Sequence, residues 1–166
     1  MLDTCLTDLR RDGLLESKIY ATVLYDKARI HFMQGDLPHA EKLLREVLRR
    51  EEASHGREDP KLLQILSELS NTLLHLGKLR EAEPLLRHAI LLSEQVGDVP
   101  MRATALAMLA AAQAAQGFPQ ARGTARQSLE AWNATGSEVP PAQLEDLEAI
   151  AAGALSPRTA PSRHRR

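Results

Sequence analysis

Apolar residues recur along this chain at alternating three- and four-residue steps, the spacing of one face of an α-helix. The clearest run is residues 63–92, LLQILSELSNTLLHLGKLREAEPLLRHAIL, in which two such faces flank Gly77. The same pattern predicts helices over 16–34, from 36 to about 54, then 60–76, 78–96, 100–116, 118–134 and 142–155. A short leading helix is expected over 2–10, where Leu2, Cys5, Leu6 and Leu9 share a face and Gly13 offers a stop. Pro38 and the Asp59–Pro60 pair sit where helices start, because a first-turn proline gives up an N–H that has no partner anyway. Pro84 falls deeper in its helix, removes the bond to the Arg80 carbonyl and is expected to bend the helix. In the last helix Leu144, Leu147, Ile150 and Ala151 line one face. Beyond Ser156 the apolar period ends, and 156–166 reads as a disordered tail.

The helices come in pairs. Hinge glycines fall at Gly35, Gly77 and Gly117, 42 and 40 residues apart. Seven positions before each hinge stands a small residue (Ala28, Ser70, Ala110), and eleven before stands Leu24, Leu66 or Leu106. Ala40 and Ala82 follow the first two hinges at equal distance, and Ala121 follows the third one residue early. Antiparallel helices joined by a short turn need small residues where the backbones approach, with leucines around them to fill the gaps. A repeated helix pair of this length implies a solenoid. Repeats are expected at about 17–56, 59–97 and 100–134, within one helical domain over 1–155 that 142–155 closes as a cap.

Composition strengthens the all-α reading. Hydrophobic residues make up 43% of the chain but aromatics only 3%, so the core is built from Leu, Ala, Ile and Val, a helix-forming mixture. The formal charge of −1 gives no general attraction to nucleic acid or anionic lipid. It is unevenly spread: Arg158, Arg163, Arg165 and Arg166 lie in the tail, leaving 17 basic against 22 acidic residues in 1–155. A four-charge tail supports only weak, salt-sensitive binding to nucleic acid, and a solubilising role is the simpler account. Cys5 is the only cysteine and has no internal partner, which fits a reducing compartment and a cytoplasmic protein. The N-terminus lacks the basic and apolar regions of a signal peptide, and no run approaches the roughly 18 apolar residues of a membrane span.

At GKLREAEPLLRHAI (77–90) and GDLPHAEKLLREVL (35–48), the latter followed by REEASHGREDP (50–60), the chain resembles tetratricopeptide repeats. The likeness is to the long variety, about 42 residues per repeat, of kinesin light chains and many bacterial proteins. It covers residues 17–134. The resemblance implies a right-handed α-solenoid of three helix pairs with a leading helix and a C-terminal capping helix. It also implies a non-enzymatic scaffold or adaptor that binds other polypeptides. Departures from the family pattern are Lys27 and His31, where large apolar residues are usual, and Gly123 inside the second helix of an Ala-rich third repeat. That third repeat is expected to be the less stable end, supported by the cap.

In this family the first helix of each pair lines a concave groove. Counting from the hinges places Tyr25, Arg29, Phe32 and Met33 of repeat one on that wall, with Gln64, Ser67, Glu68, Asn71 and His75 of repeat two and Thr104 and Met108 of repeat three. A peptide would set an apolar anchor on Phe32, Met33 and Met108, while Asn71 and Arg29 hydrogen-bond its backbone or an acidic group. Asn both donates and accepts, which suits an extended backbone. The double substitution Arg29→Glu with Asn71→Ala is therefore expected to abolish partner capture. Use of the opposite face, self-association as a homo-oligomer, and a regulatory module cut from a larger signalling or catalytic protein are the alternatives. Chaperone-tail binding of the co-chaperone kind is not expected: at the matching positions Tyr25, Arg29, Glu68, Thr104 and Met108 only Arg29 is basic, and Glu68 repels a carboxylate.

No reactive constellation emerges. The histidines are His31, His39, His55, His75, His88 and His164, none in an H-E-x-x-H or Cys/His array; His75 could meet His31 across adjacent first helices, but polar positions on helix faces are the simpler reading. Phosphate-loop, dinucleotide and nucleophile-elbow motifs are absent from the sequence. The neighbours Glu51 and Glu52, and Glu145 and Asp146, lie about 100° apart around a helix and do not converge. Trp132 is expected to pack on the 142–155 helix. The sequence thus predicts no catalytic residues, cofactor or metal, and a protein or peptide partner.

Overall fold

Among the described residues, positive φ is adopted only by glycines, and these punctuate the chain. A computed structural model describes residues 18–136 and 138–153, with residues 4, 7, 8 and 11. Most of the expected leading helix, Cys5 included, and everything from 154 onward, the basic tail included, lie outside the described residues. Gly35, Gly77 and Gly117 take φ of +77°, +73° and +75° at the three predicted hinges. An L side chain is strained in that region, so the hinge demands glycine.

The helices are α1 (Lys18–Met33), α2 (Leu37–His55), α3 (Leu62–His75), α4 (Leu79–Val96), α5 (Val99–Ala115), α6 (Ala121–Thr135) and α7 (Pro141–Ala152). Each packs on its neighbours in sequence; α5 also meets α3 and α7. No helix among the described residues is long and apolar enough to cross a membrane.

Two starts differ from the sequence expectation. Residues 59–61 form a turn, closed by the Leu62 N–H on the Asp59 carbonyl at 3.0 Å, and α3 begins after it. The sixth repeat helix begins at Ala121 rather than 118. Pro119 restricts Phe118 away from helical backbone, so the helix forms only beyond the turn that the Ala121 N–H closes on the Phe118 carbonyl. Asp98, by contrast, caps α5 as such a residue should, accepting the Met101 N–H at 3.0 Å. Pro84 lies on the exposed side of α4, which runs through it unbroken.

The small residues predicted at the helix crossings, Ala28, Ser70 and Ala110, are fully buried, as are Ala40 and Ala82. The Ser70 hydroxyl has no hydrogen-bond partner, so the position uses the residue's size and not its polarity. The first core joins Leu24, Leu44, Leu66, Leu69, Leu73 and Leu86 across repeats one and two and reaches Leu109 of α5. The second is an alanine core, with Ala110, Ala114, Ala121 and Ala125 covered by Leu147 and Ile150 of α7 and flanked by Trp132. Close approach in that third repeat leaves room for polar ties: Thr124 donates to Gln113 Oε1 at 2.8 Å and Ser128 to the Ala103 carbonyl at 2.8 Å.

Gly123 sits inside α6 with helical backbone, and a Cβ there would meet nothing within 4 Å. Gly123→Ala should raise stability by about 0.5–1 kcal/mol, since alanine gives up less backbone entropy in a helix. Chemical denaturation measures this as a higher midpoint at constant slope.

Candidate functional site

The first helices lie side by side as one wall and the second helices as the other. On the second-helix side, α2 and α4 are tied by ion pairs from Glu41 to Lys78 at 2.7 Å and from Arg45 to Glu81. Burial pushes the Glu41 carboxyl up, but hydrogen bonds from Lys78 and Arg45 outweigh it and hold it below the usual carboxylate range.

On the first-helix side, α1 and α3 enclose a hollow of about 220 Å³. Arg29, Phe32 and Met33 of α1 face Glu68 and Asn71 of α3 across it. Ala28, Thr72 and Leu44, the last from α2, complete the lining. These three were not among the expected groove residues. They stand on the core-facing edge of their helices, and the narrowness of Ala28 is what opens the hollow down to Leu44. The small-residue pattern marked Ala28, and no signal in the sequence marked Thr72 or Leu44 as lining.

Glu68 is the centre of the polar contacts. Gln64 Nε2 donates to its Oε1 at 3.2 Å, and Arg29 Nε lies 3.6 Å from the same oxygen. Tyr25 also hydrogen-bonds Glu68; burial first, then that hydrogen bond and the carboxylate's charge, raise the phenol well above its ordinary pKa and keep it a neutral donor. Arg29, expected with Asn71 to hydrogen-bond a ligand's backbone or an acidic group, stands beside Glu68, so the two charges offset one another.

Farther along the wall, the Phe32 ring meets His75 edge-on, with centroids 5.5 Å apart and planes at 71°. Met33 is 82% exposed at the rim. His75 and His31 do not pair across the first helices: His75 turns to Phe32, while His31 Nδ1 lies 3.0 Å from Asp36. The structure therefore gathers Arg29, Phe32, Met33, Glu68 and Asn71 around one hollow, with Tyr25 and Gln64 attached through Glu68 and His75 through Phe32. Ser67 is half-buried outside the hollow's lining. Thr104 and Met108 also lie outside it: the Thr104 hydroxyl donates back to the Pro100 carbonyl at 3.0 Å, and Met108 packs on the first core. An apolar rim, a two-way amide and a neutralised ion pair can hold an uncharged backbone with an apolar anchor.

The tetratricopeptide repeat family model matches residues 19–95 and, in an overlapping second placement, 61–134. Among solved structures, the chain is similar to a crystal structure of nearly identical tetratricopeptide-like repeats ascribed to a kinesin light chain of Podosopora anserina. The TM-score is 0.72 at 20% identity, over 91% of this chain and 84% of that one, a likeness of fold. Comparison with curated proteins found no match.

Proposed function

This chain belongs to the tetratricopeptide repeat family, whose repeats mediate protein–protein interaction, and from that premise we propose a non-enzymatic scaffold or adaptor. It holds an extended peptide or a helix of a partner protein along the wall formed by α1, α3 and α5. The reading includes a cytoplasmic location and a single helical repeat domain over 1–155.

The observation that carries it is the hollow between α1 and α3, where Phe32 and Met33 offer apolar surface beside Asn71. Because Glu68 already faces Arg29, the favoured ligand segment is uncharged at this point, with one large apolar side chain on the Phe32–Met33 rim. The pairing also changes the choice of test. Arg29→Glu would set two carboxylates together and damage the α1–α3 contact itself, so loss of binding would have two causes. Met33→Glu with Asn71→Ala avoids this, since Met33 projects into solvent.

Immobilised full-length chain should capture a partner from its source cells with at least about tenfold lower affinity once both substitutions are made, equivalent to some 1.4 kcal/mol. The far-ultraviolet circular dichroism should stay as in the parent chain. Capture at full strength by a folded double variant would remove the groove assignment.

A further inference from the structure

We propose that the hinge between α1 and α2 is a metal site, in which His31, Asp36 and His39 supply three donors to a divalent ion of the zinc class. Gly35 reverses the chain with φ +77°, and the Asp36 N–H then bonds the carbonyl of His31 at 2.9 Å. That bond brings Asp36 back beside the Nδ1 edge of the His31 ring. His31 Nδ1 lies 3.0 Å from Asp36 Oδ2, and His39 Nδ1, one turn into α2, lies 2.8 Å from Oδ1. The two rings stack with centroids 5.3 Å apart and planes at 24°. One donor atom from each residue falls within 4.8 Å of the others.

The distances decide whether an ion fits. Zinc takes nitrogen and carboxylate oxygen at about 2.0–2.2 Å, which sets donors on one ion some 3.0–3.5 Å apart. The contacts at 2.8 and 3.0 Å run from the two rings to different oxygens of the Asp36 carboxylate, and with one donor atom per residue all within 4.8 Å, the widest pair must close by no more than about 1–2 Å to share one ion. The His39 side chain, 67% exposed, is free to make that movement. Two imidazoles and a carboxylate form a borderline set that suits zinc, cobalt or nickel and discriminates against calcium and magnesium, which prefer oxygen alone. Three protein donors leave a fourth position for water or another ligand.

Comparison between repeats gives a second reason. Four residues before the hinge, where repeat one has His31, repeats two and three have Leu73 and Gln113, both fully covered. Packing therefore asks for a buried side chain at this place, and His31 keeps its ring partly in solvent beside Asp36 instead. The positions matching Asp36 and His39 in repeat two are Lys78 and Glu81, which tie α4 to α2. The triad belongs to the first hinge alone.

The test is calorimetric titration of the full-length chain with zinc chloride and, separately, cobalt chloride. The expected result is one ion per chain, with affinity at least about tenfold lower in His39→Gln and in Asp36→Asn. His55→Gln, Cys5→Ser and His164→Asn should leave binding unchanged, and His39→Cys should restore it through a thiolate. His39 is exposed, so its variants keep the helical fold, as circular dichroism will show. Absence of saturable binding, or binding that persists in His39→Gln and vanishes in Cys5→Ser or His164→Asn, overturns the assignment.

Discussion

Leu69→Ala should lower the free energy of unfolding by about 3 kcal/mol, the middle of the range for emptying a fully packed leucine site. Leu69 is completely buried in the core that joins repeats one and two. The helices on either side are held apart by Leu66, Leu73 and Leu86, which are equally covered, so the cavity cannot close by a small shift. In a solenoid each repeat is stabilised chiefly by its neighbours. Weakening the middle repeat therefore removes support from both sides, and the loss should appear in the whole chain. Thermal unfolding should shift down by roughly 6–12 °C as a single transition. A shift of a degree or two would mean that the Leu69 site does not hold repeats one and two together.

Leu147→Ala should cost about 2–3 kcal/mol as well, but its effect should stay local. Leu147 is the buried anchor of α7 on the alanine core, where Ala110, Ala114, Ala121 and Ala125 offer little area of their own. Each alanine contributes one methyl, so the large side chains of α7 supply much of the apolar burial there. Removing the anchor loosens α5 and α6 while repeats one and two keep their leucine core. Amide hydrogen exchange should accelerate over 103–135 and remain slow over 62–92. Uniform acceleration across both regions would contradict the separation into two cores.

Much of this architecture is written in residue types with one physical use. A hinge with φ near +75° demands glycine, and a close crossing demands alanine or serine, so Gly35, Gly77 and Gly117 with Ala28, Ser70 and Ala110 mark the helix pairs directly. The alanine character of the third repeat pointed to support from the final helix, but not to the separate core that Leu147 and Ile150 close there. Helix starts were less legible, because Pro119 and Pro60 signal a boundary without saying whether the helix begins at once or after a turn.

The candidate groove was legible as a face and not as a network. Helical spacing suffices to put Arg29 and Phe32 on one wall and Glu68 and Asn71 on the next. Which polar groups then pair depends on the axial offset between α1 and α3, a long-range quantity absent from any single helix pattern. Hence Arg29 meets Glu68, and Thr104 turns back on its own helix. The histidines show the same limit. Helix-face reasoning gives His31 as a polar position on its helix and says nothing of the hinge backbone, which carries Asp36 and His39 to it across Gly35.

The central claim is that a partner polypeptide lies against the α1–α3–α5 wall. Photocrosslinking addresses it directly, with a light-activated amino acid placed at Met33 on the rim of the hollow or at Leu91, exposed on α4. Label transfer to the captured partner from position 33 and not from position 91 is the predicted result. Transfer from position 91 alone would place the partner on the second-helix side and contradict the account.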